Sequence, residues 1–182
     1  MQIIEYGEKE IEFLSKKDKK LGAFIKKRGF VERRMNPDVF FFLVRSIVTQ
    51  QISNKAAATV VGRLKEKFPD ITADTLYSVS DEELQSIGIS MRKVSYIKGL
   101  CASVLGGELS TDLLRGMSDA EVARSLLPIK GIGIWTVEMT LIFSLGRRDV
   151  VSFGDYAIRK GMMNLYGIDE LTRETFEKYR KR

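Results

Sequence analysis

Residues 127–135 of the chain read LPIKGIGIW, in which a proline is followed by two glycines separated by one residue. Pro128 ends any helix that precedes it, whereas Gly131 and Gly133 permit backbone angles and close approaches that a side chain would prevent. A helix that begins directly after Gly133 would offer unpaired amides and the positive end of its dipole to a phosphate oxygen, whatever the base sequence. A plain turn between two helices explains the same glycines, so this stretch alone leaves both interpretations open.

The segment 135–145 alternates apolar and polar residues, which is a strand-like period of two. A helix that is buried on all sides could carry the same residues. Because the glycine turn before the segment is typical of a helix start, we predict a helix.

Capping signals elsewhere predict an all-α chain. Asn36 is a candidate N-cap with Pro37 at the first helical position, and apolar residues then recur at helical spacing to about Gln50. Ser53 caps a second predicted helix, which Phe68-Pro69 ends. Further N-cap and helix-end signals are the pairs Ser80 with Glu83 and Ser118 with Glu121, and the glycines Gly88, Gly106, Gly107 and Gly167.

The composition excludes several kinds of site. The chain has no histidine and a single cysteine, Cys101, so it can form no internal disulfide and has no ligand set for zinc or an iron–sulfur cluster. Cys101 lies in an apolar run, which predicts a buried structural thiol. Acid, base or charge-stabilising chemistry must therefore come from Asp, Glu, Lys, Tyr or the backbone.

The net charge of +6 favours a polyanionic partner such as nucleic acid. The lysines and arginines cluster within 16–34 and 178–182, and such runs are more often solvated helix faces than binding surfaces. No apolar run approaches the ~18 residues that would span a bilayer, and no signal peptide is recognised. We therefore expect an intracellular protein, in the cytoplasm with the nucleoid or in the nucleus, without a membrane partner.

Five segments with their companion residues occur in a fixed order along nearly the whole chain. They are 18–21 with Ile25 and Gly29, 42–53 with Ala56-Ala57, 88–90 with Lys93, 130–136, and 150–155 with Arg159-Lys160-Gly161. Together they resemble the helix-hairpin-helix DNA glycosylase superfamily, in particular its 3-methyladenine DNA glycosylases, and their order and spacing make the resemblance specific.

The resemblance implies an all-α, two-lobed glycosylase fold with a cleft between the lobes. We expect one compact unit over 1–182, with a continuous helical lobe at 38–147 that contains the hairpin and a second lobe formed by 1–37 plus 148–182. A monomer is expected.

Asp155 matches the catalytic aspartate of this superfamily. A carboxylate beside the anomeric carbon would stabilise the positive charge that develops on the sugar and orient the attacking water. From its own surroundings, Asp155 is also a good N-cap for a helix that starts at Tyr156, and the two roles are compatible.

Trp135 stands where bifunctional members of the superfamily carry the lysine that forms a Schiff base. The resemblance therefore implies a monofunctional enzyme without lyase activity. Trp135, Tyr156 and Phe41 are candidates for a base pocket, in which Trp135 would stack on a flipped base. Each is equally well explained as a core aromatic.

The expected contacts with double-stranded DNA follow the same resemblance, with Gln51 as the best candidate for the residue that fills the gap left by the flipped nucleotide. The carbonyl groups of Ile129 and Ile132 could hold a structural monovalent cation, and no cofactor is expected. The predicted DNA-binding residues are Gln50, Gln51, Ser53, Lys130, Gly131, Ile132, Gly133 and Thr136.

The resemblance thus predicts hydrolytic release of alkylated bases from damaged double-stranded DNA in base excision repair. A glycosylase for oxidised or deaminated bases is one alternative. A helix-hairpin-helix module that binds DNA without catalysis is another.

Overall fold

The computed structural model describes residues 2–182, whose regular secondary structure is helical apart from one short antiparallel sheet. The all-α prediction is therefore confirmed. The strands are β1 (Gln2–Ile3) and β2 (Arg34–Met35). The helices are α1 (Glu8–Lys17), α2 (Lys19–Arg28), α3 (Val39–Val48), α4 (Asn54–Lys67), α5 (Ala73–Ser78), α6 (Asp81–Gln85), α7 (Met91–Leu105), α8 (Asp119–Leu126), α9 (Ile134–Phe143), α10 (Tyr156–Tyr166) and α11 (Arg173–Arg180), with a 3-10 helix at Leu113–Gly116.

Two compact units make up the chain. One comprises Asn36–Leu145, and the other joins the residues up to Met35 with Gly146–Arg182. None of the helices in the described part of the chain has both the length and the apolar character needed to cross a bilayer.

The core of the Asn36–Leu145 unit is built around α3, which packs against α4, α7 and α9. Seven of the ten residues of α3 are buried, so this helix contributes apolar surface in nearly every direction. Helix α7 also packs against α5 and α6, and α8 packs against α9. Fully buried side chains of this core include Leu43, Ile47, Leu64, Leu76, Leu84, Ile97, Leu100, Leu114 and Leu126.

The predicted start of α3 was wrong by two residues. Asp38, rather than Asn36, is the N-cap, because its carboxylate accepts the backbone N–H of Phe41 at 2.9 Å. The Asn36 side chain instead accepts the N–H of Asp38 at 3.1 Å. Pro37 thus lies in the turn before the helix.

The helix predicted for the segment after the hairpin is confirmed as α9. Its alternating polar residues include Thr136 and Thr140, both of which are buried. The Thr140 hydroxyl donates to the backbone carbonyl of Thr136 at 2.8 Å. Because the hydroxyl of Thr140 finds its hydrogen-bond acceptor within the helix, this threonine can be buried without an unpaired polar group. The alternation of apolar and polar residues is therefore compatible with a helix and does not indicate a strand.

Most other helix boundaries agree with the capping signals. Ser53, Ser80 and Ser118 each accept an amide of the first turn, and Ser118 forms a full capping box with Glu121. Helix α4 ends before Phe68, α7 ends at Gly106, and α10 ends at Gly167 with a φ of 67°. Helix α6 ends earlier than Gly88 suggests, at Gln85, and Gly88 takes a φ of 99° in the following turn.

The other unit contains the small sheet, which the sequence did not predict. Gln2 pairs with Met35 and Ile3 with Arg34. Two residues are too few to show an alternating pattern.

A cluster around Asp18 ties α2 to the C-terminal helices of this unit. Asp18 is 6% exposed and accepts the N–H of Leu21, the hydroxyl of Tyr166 and a guanidinium N–H of Arg182. The ring of Tyr166 stacks on Tyr179 with centroids 3.7 Å apart. Asp18 therefore both caps α2 and holds α10 and the end of α11 in place.

Candidate functional site

The glycines at 131 and 133 have different structural roles. Gly131 has a φ of 90°, and a Cβ atom built on it would lie 2.4 Å from Tyr96 Cδ2, so only glycine fits. Gly133 has an extended backbone, and a Cβ atom there would meet open space. The fold therefore requires glycine at 131, whereas at 133 it leaves room for another molecule.

The hairpin presents backbone amides at the start of α9. Ile129 and Ile132 are buried, and the N–H of Ile132 donates to the carbonyl of Ile129 at 3.0 Å, which closes the turn. Gly133 is the N-cap of α9 and, as a glycine, has no side chain with which to cap the helix. Its first-turn amides and helix dipole form an arrangement suited to an anion.

The other predicted hairpin residues differ in exposure. The side chain of Lys130 is exposed beside the glycines. Thr136 is 4% exposed, so its side chain lies in the core and only its backbone amide belongs to the first turn of α9.

The turn between α3 and α4 contains Gln50, Gln51 and Ser53. The Gln50 side chain donates through Nε2 to the carbonyl of Gly131 at 2.7 Å, so this turn and the hairpin are in direct contact. Gln51 is exposed and has a φ of 56°, in the left-handed region. Ser53 caps α4 by accepting the N–H of Ala56.

Lys93 also contacts this turn, a role that the sequence-based site prediction missed. Its Nζ donates to the carbonyls of Val48 at 2.9 Å and Gln50 at 2.8 Å, and burial lowers the pKa of Lys93. One signal was available, since Lys93 is in the first turn of α7, where the helix dipole disfavours a cation. A lysine at such a position indicates that acceptors from another segment offset the unfavourable interaction with the helix dipole.

Two large apolar side chains are exposed next to the hairpin. Trp135 is 44% exposed and Ile134 is 55% exposed, both in the first turn of α9. The core interpretation of Trp135 is thus disfavoured. Phe41 is half-buried, and the ammonium group of Lys65 lies 5.0 Å from the centre of its ring.

Asp155, in the other unit, is the N-cap of α10, as predicted. Its Oδ1 accepts the N–H of Ile158 at 3.0 Å. The carboxylate thus lies at the positive end of the α10 dipole, which favours a negative charge there. Tyr156, the next residue, is 80% exposed.

Phe153, two residues before Asp155, has two cationic neighbours that the sequence did not predict. The guanidinium groups of Arg159 and Arg173 lie 5.0 Å and 5.7 Å from the centre of its ring. Phe176 meets the same ring edge-on at 5.2 Å. Two cationic groups and one aromatic ring therefore hold Phe153 in the segment that leads to Asp155.

The cation ligands predicted from the sequence are backbone carbonyls. Among residues 2–182, no group of three or more His, Cys, Asp or Glu side chains could hold a metal ion. The carbonyl of Ile129 accepts one amide within the turn and keeps a second lone pair. The carbonyls of Ile129 and Ile132 as cation ligands stay a prediction.

Cys101, the single cysteine, is fully buried in α7, as predicted. Burial raises the pKa of its thiol to about 11. It is therefore a structural thiol.

Comparison with known proteins adds two curated relatives and two solved structures. The chain is 34% identical over 135 residues to DNA-3-methyladenine glycosylase 1 of Schizosaccharomyces pombe, which covers 71% of the chain and 58% of that relative. It is 33% identical over 134 residues to DNA-3-methyladenine glycosylase of Saccharomyces cerevisiae, covering 68% of the chain and 45% of that relative. The chain thus spans about half the length of these relatives.

The solved structures cover more of the chain. DNA-3-methyladenine glycosidase from Bacillus halodurans superposes with a TM-score of 0.87 at 38% identity, covering 100% of this chain and 85% of that one. The Schizosaccharomyces pombe 3-methyladenine DNA glycosylase in complex with abasic DNA gives 0.79 at 28% identity, with coverages of 94% and 89%.

The family model of the HhH-GPD superfamily base excision DNA repair proteins matches residues 44–182, a range that includes the hairpin, the α3–α4 turn and Asp155. This chain belongs to the HhH-GPD superfamily of base excision DNA repair proteins.

Proposed function

We propose that the protein is a monofunctional DNA glycosylase that flips an alkylated base out of double-stranded DNA and hydrolyses its bond to deoxyribose. The observation that carries this proposal is the hairpin, where Gly133 leaves open space directly before the first turn of α9. The two curated relatives, both DNA-3-methyladenine glycosylases, support the alkylated-base specificity.

In this proposal, the hairpin binds one DNA phosphate through backbone amides. Lys130 adds a positive charge, while Gly131, Ile132 and Gly133 contribute through the main chain. Thr136, whose side chain is buried, contributes only its amide. Such contacts fix the position of the duplex without selecting a base sequence.

Gln50, Gln51 and Ser53 engage the same duplex from the α3–α4 turn. The exposed Gln51 enters the base stack after the nucleotide is flipped, and its amide group can hydrogen-bond the unpaired opposite base. The side chain of Gln50 is hydrogen-bonded to the carbonyl of Gly131, so its main role is to hold the α3–α4 turn against the hairpin.

Asp155 is the proposed catalytic residue. As the N-glycosidic bond breaks, its electron pair leaves with the base and positive charge develops on the sugar ring. The Asp155 carboxylate stabilises that charge and orients the water whose oxygen bonds to the anomeric carbon, and the water proton passes to the carboxylate or to solvent. An alkylated base that starts as a cation leaves as a neutral molecule and needs no general acid.

Trp135, Tyr156 and Phe41 are the proposed base-contacting residues. The exposed indole of Trp135 can stack on a flipped base and favours a cationic one through its ring quadrupole. Trp135 also has no amine with which to form a Schiff base, so the product is an abasic site in an unbroken strand.

The proposed partner is double-stranded DNA that contains damaged bases, and the protein acts as a monomer wherever that DNA is, in the cytoplasm or the nucleus. Hydrolysis in this scheme uses water and Asp155 without a cofactor. A monovalent cation on the carbonyls of Ile129 and Ile132 would only stabilise the hairpin.

A base-release assay tests the proposal. Purified protein is incubated with duplexes that contain 3-methyladenine, 7-methylguanine, hypoxanthine or 8-oxoguanine, and free bases are separated by chromatography. We expect release of the two alkylated bases well before the other two. Preferential release of 8-oxoguanine or hypoxanthine would establish a different glycosylase specificity, and DNA binding without any release would favour a non-enzymatic module.

A further inference from the structure

A hydrogen-bond network joins the α3–α4 turn to both α7 and the hairpin. Lys93 of α7 donates to the carbonyls of Val48 and Gln50, and the Gln50 side chain donates to the carbonyl of Gly131. The donor–acceptor distances are 2.9, 2.8 and 2.7 Å. All of these residues belong to one compact unit.

The ammonium group of Lys93 compensates backbone groups that a helix leaves unpaired. The last carbonyls of α3 have no partners within the helix and lie at its negative end. Lys93 satisfies the carbonyl of Val48, the final residue of α3, and the carbonyl of Gln50 just beyond it. A half-buried lysine held by two carbonyls is fixed in one position, in contrast to a solvated surface lysine.

Gln51 is the strained member of this turn. Among residues 2–182 it is the single non-glycine with a positive φ, at 56°. The left-handed conformation costs an L-residue about 1 kcal/mol or more, and the exposed side chain offers little packing to offset that cost. Such a conformation persists where the surrounding structure fixes the backbone, and the hydrogen bonds of Gln50 fix the residue that precedes Gln51.

Tyr96 places the second constraint on the hairpin. It follows Lys93 by three residues, so both side chains leave α7 on the same face. Tyr96 packs directly on Gly131, while Lys93 holds Gln50. One face of α7 thus contacts both segments that are proposed to engage DNA.

We infer that Lys93 is a positioning residue that sets the α3–α4 turn in a preformed conformation against the hairpin, so that Gln51 is aimed into the gap when the hairpin holds its phosphate. The inference rests on the proposed function. Lys93 itself touches neither the base nor the sugar.

The test compares affinity for an intact duplex with affinity for a duplex carrying a tetrahydrofuran abasic-site analogue, at one fixed salt concentration. The variants are Lys93→Met, which keeps the length of the side chain but has no donor, and Lys93→Arg, which keeps the charge. We expect Lys93→Met to lose about tenfold of the preference for the abasic duplex, with little change in binding to the intact one. Lys93→Arg should recover most of that preference.

Lys98→Met is the matched control. Lys98 also lies on α7 and also donates to backbone carbonyls, those of Tyr77 and Val79, which belong to a different part of the fold. Lys98→Met should change the melting temperature about as much as Lys93→Met does. Its preference for the abasic over the intact duplex should equal that of the wild type. If Lys93→Met does not fold, Gln50→Met, which removes the side-chain hydrogen bond to Gly131, should show the same loss.

Equal preferences in wild type and Lys93→Met, or in wild type and Gln50→Met, would overturn the inference. So would an equal loss in Lys98→Met. A wild-type protein that prefers the abasic duplex but releases no base would refute the proposed catalysis. In that case the comparison of the Lys93 variants would still test the positioning role of Lys93.

Discussion

The ring of Tyr96 occupies the space that any side chain at Gly131 would need, with Tyr96 Cδ2 only 2.4 Å from an ideal Cβ position. Because of this contact, the two glycines of the hairpin have different roles. Gly131 is required by the protein interior, whereas Gly133 faces open space.

Alanine substitutions at the two glycines should therefore have different effects. Gly131→Ala must adopt a φ of 90° and displace Tyr96, and we expect a loss of about 3 kcal/mol in the free energy of unfolding. Gly133→Ala should change stability by no more than about 0.5 kcal/mol and yet weaken duplex binding, because its methyl group enters the space proposed for the phosphate. Urea denaturation and DNA titration measure the two effects. Normal DNA affinity in a folded Gly133→Ala would contradict this interpretation of the hairpin.

The cluster around Asp18 predicts how stability depends on pH in acid. Hydrogen bonding from the Leu21 amide is the main cause that lowers the pKa of Asp18 in the folded protein. A lowered carboxyl pKa contributes stability above the unfolded value of 3.8 that is lost as the pH falls through the folded value. Asp18→Asn should thus be less stable than wild type at neutral pH, and the gap should narrow below pH about 4. The midpoints of urea denaturation of both proteins from pH 7 down to 2 measure this difference in stability. A difference that stays constant over this range would contradict the prediction.

Tyr166 predicts the corresponding behaviour in alkali. Burial, followed by the hydrogen bond to Asp18, raises its pKa from 10.0 to about 12. A raised pKa contributes stability that is complete below 10.0 and is lost as the pH rises toward about 12. Tyr166→Phe should cost about 1 to 2 kcal/mol at pH 7, and its difference from wild type should shrink across that alkaline range. Tyr156→Phe, at a site 80% exposed, is the control and should leave the unfolding curves unchanged.

The helices could be predicted from sequence because their signals are local. Ser53, Ser118 and Gly167 each act within one turn of the helix that they begin or end, and α9 was recognised from the glycines before it. The start of α3 was placed two residues early because Asn36 and Asp38 are both good caps, and only the geometry shows which one reaches a first-turn amide.

Contacts over long sequence distances could not be predicted in this way. Lys93 binds carbonyls 43 and 45 residues away. Every residue has a backbone carbonyl, so the sequence does not indicate which ones accept this lysine. Arg173 and Phe153 meet through the packing of the second unit. The position of Asp155 at a helix start was predictable from its neighbours, whereas its catalytic role came from the family resemblance and stays a prediction.

Trp135 offers a direct optical test of the base pocket. It is the only tryptophan in the chain. A change in fluorescence on binding abasic DNA, excited at a wavelength that tyrosine does not absorb, therefore reports on this residue alone. Trp135→Ala should lower the release of cationic 7-methylguanine about tenfold, in line with the loss of a cation–π contact and stacking, with a smaller effect on neutral hypoxanthine. Ile134→Ala, on the same exposed turn, is the control. Equal effects on both bases would contradict a cation-selective role for the indole.

Asp155→Asn tests the central claim most directly. Asparagine is also a good N-cap, so α10 should persist and duplex affinity should be retained, while the carboxylate charge is removed. Asp38→Asn makes the same change at the N-cap of α3 and should keep normal activity. We predict that single-turnover release of 3-methyladenine from duplex DNA falls at least about a hundredfold in Asp155→Asn, as expected when a charge that stabilises a transition state is lost. Release at the wild-type rate by a folded Asp155→Asn protein would contradict the assignment of Asp155 as the catalytic carboxylate.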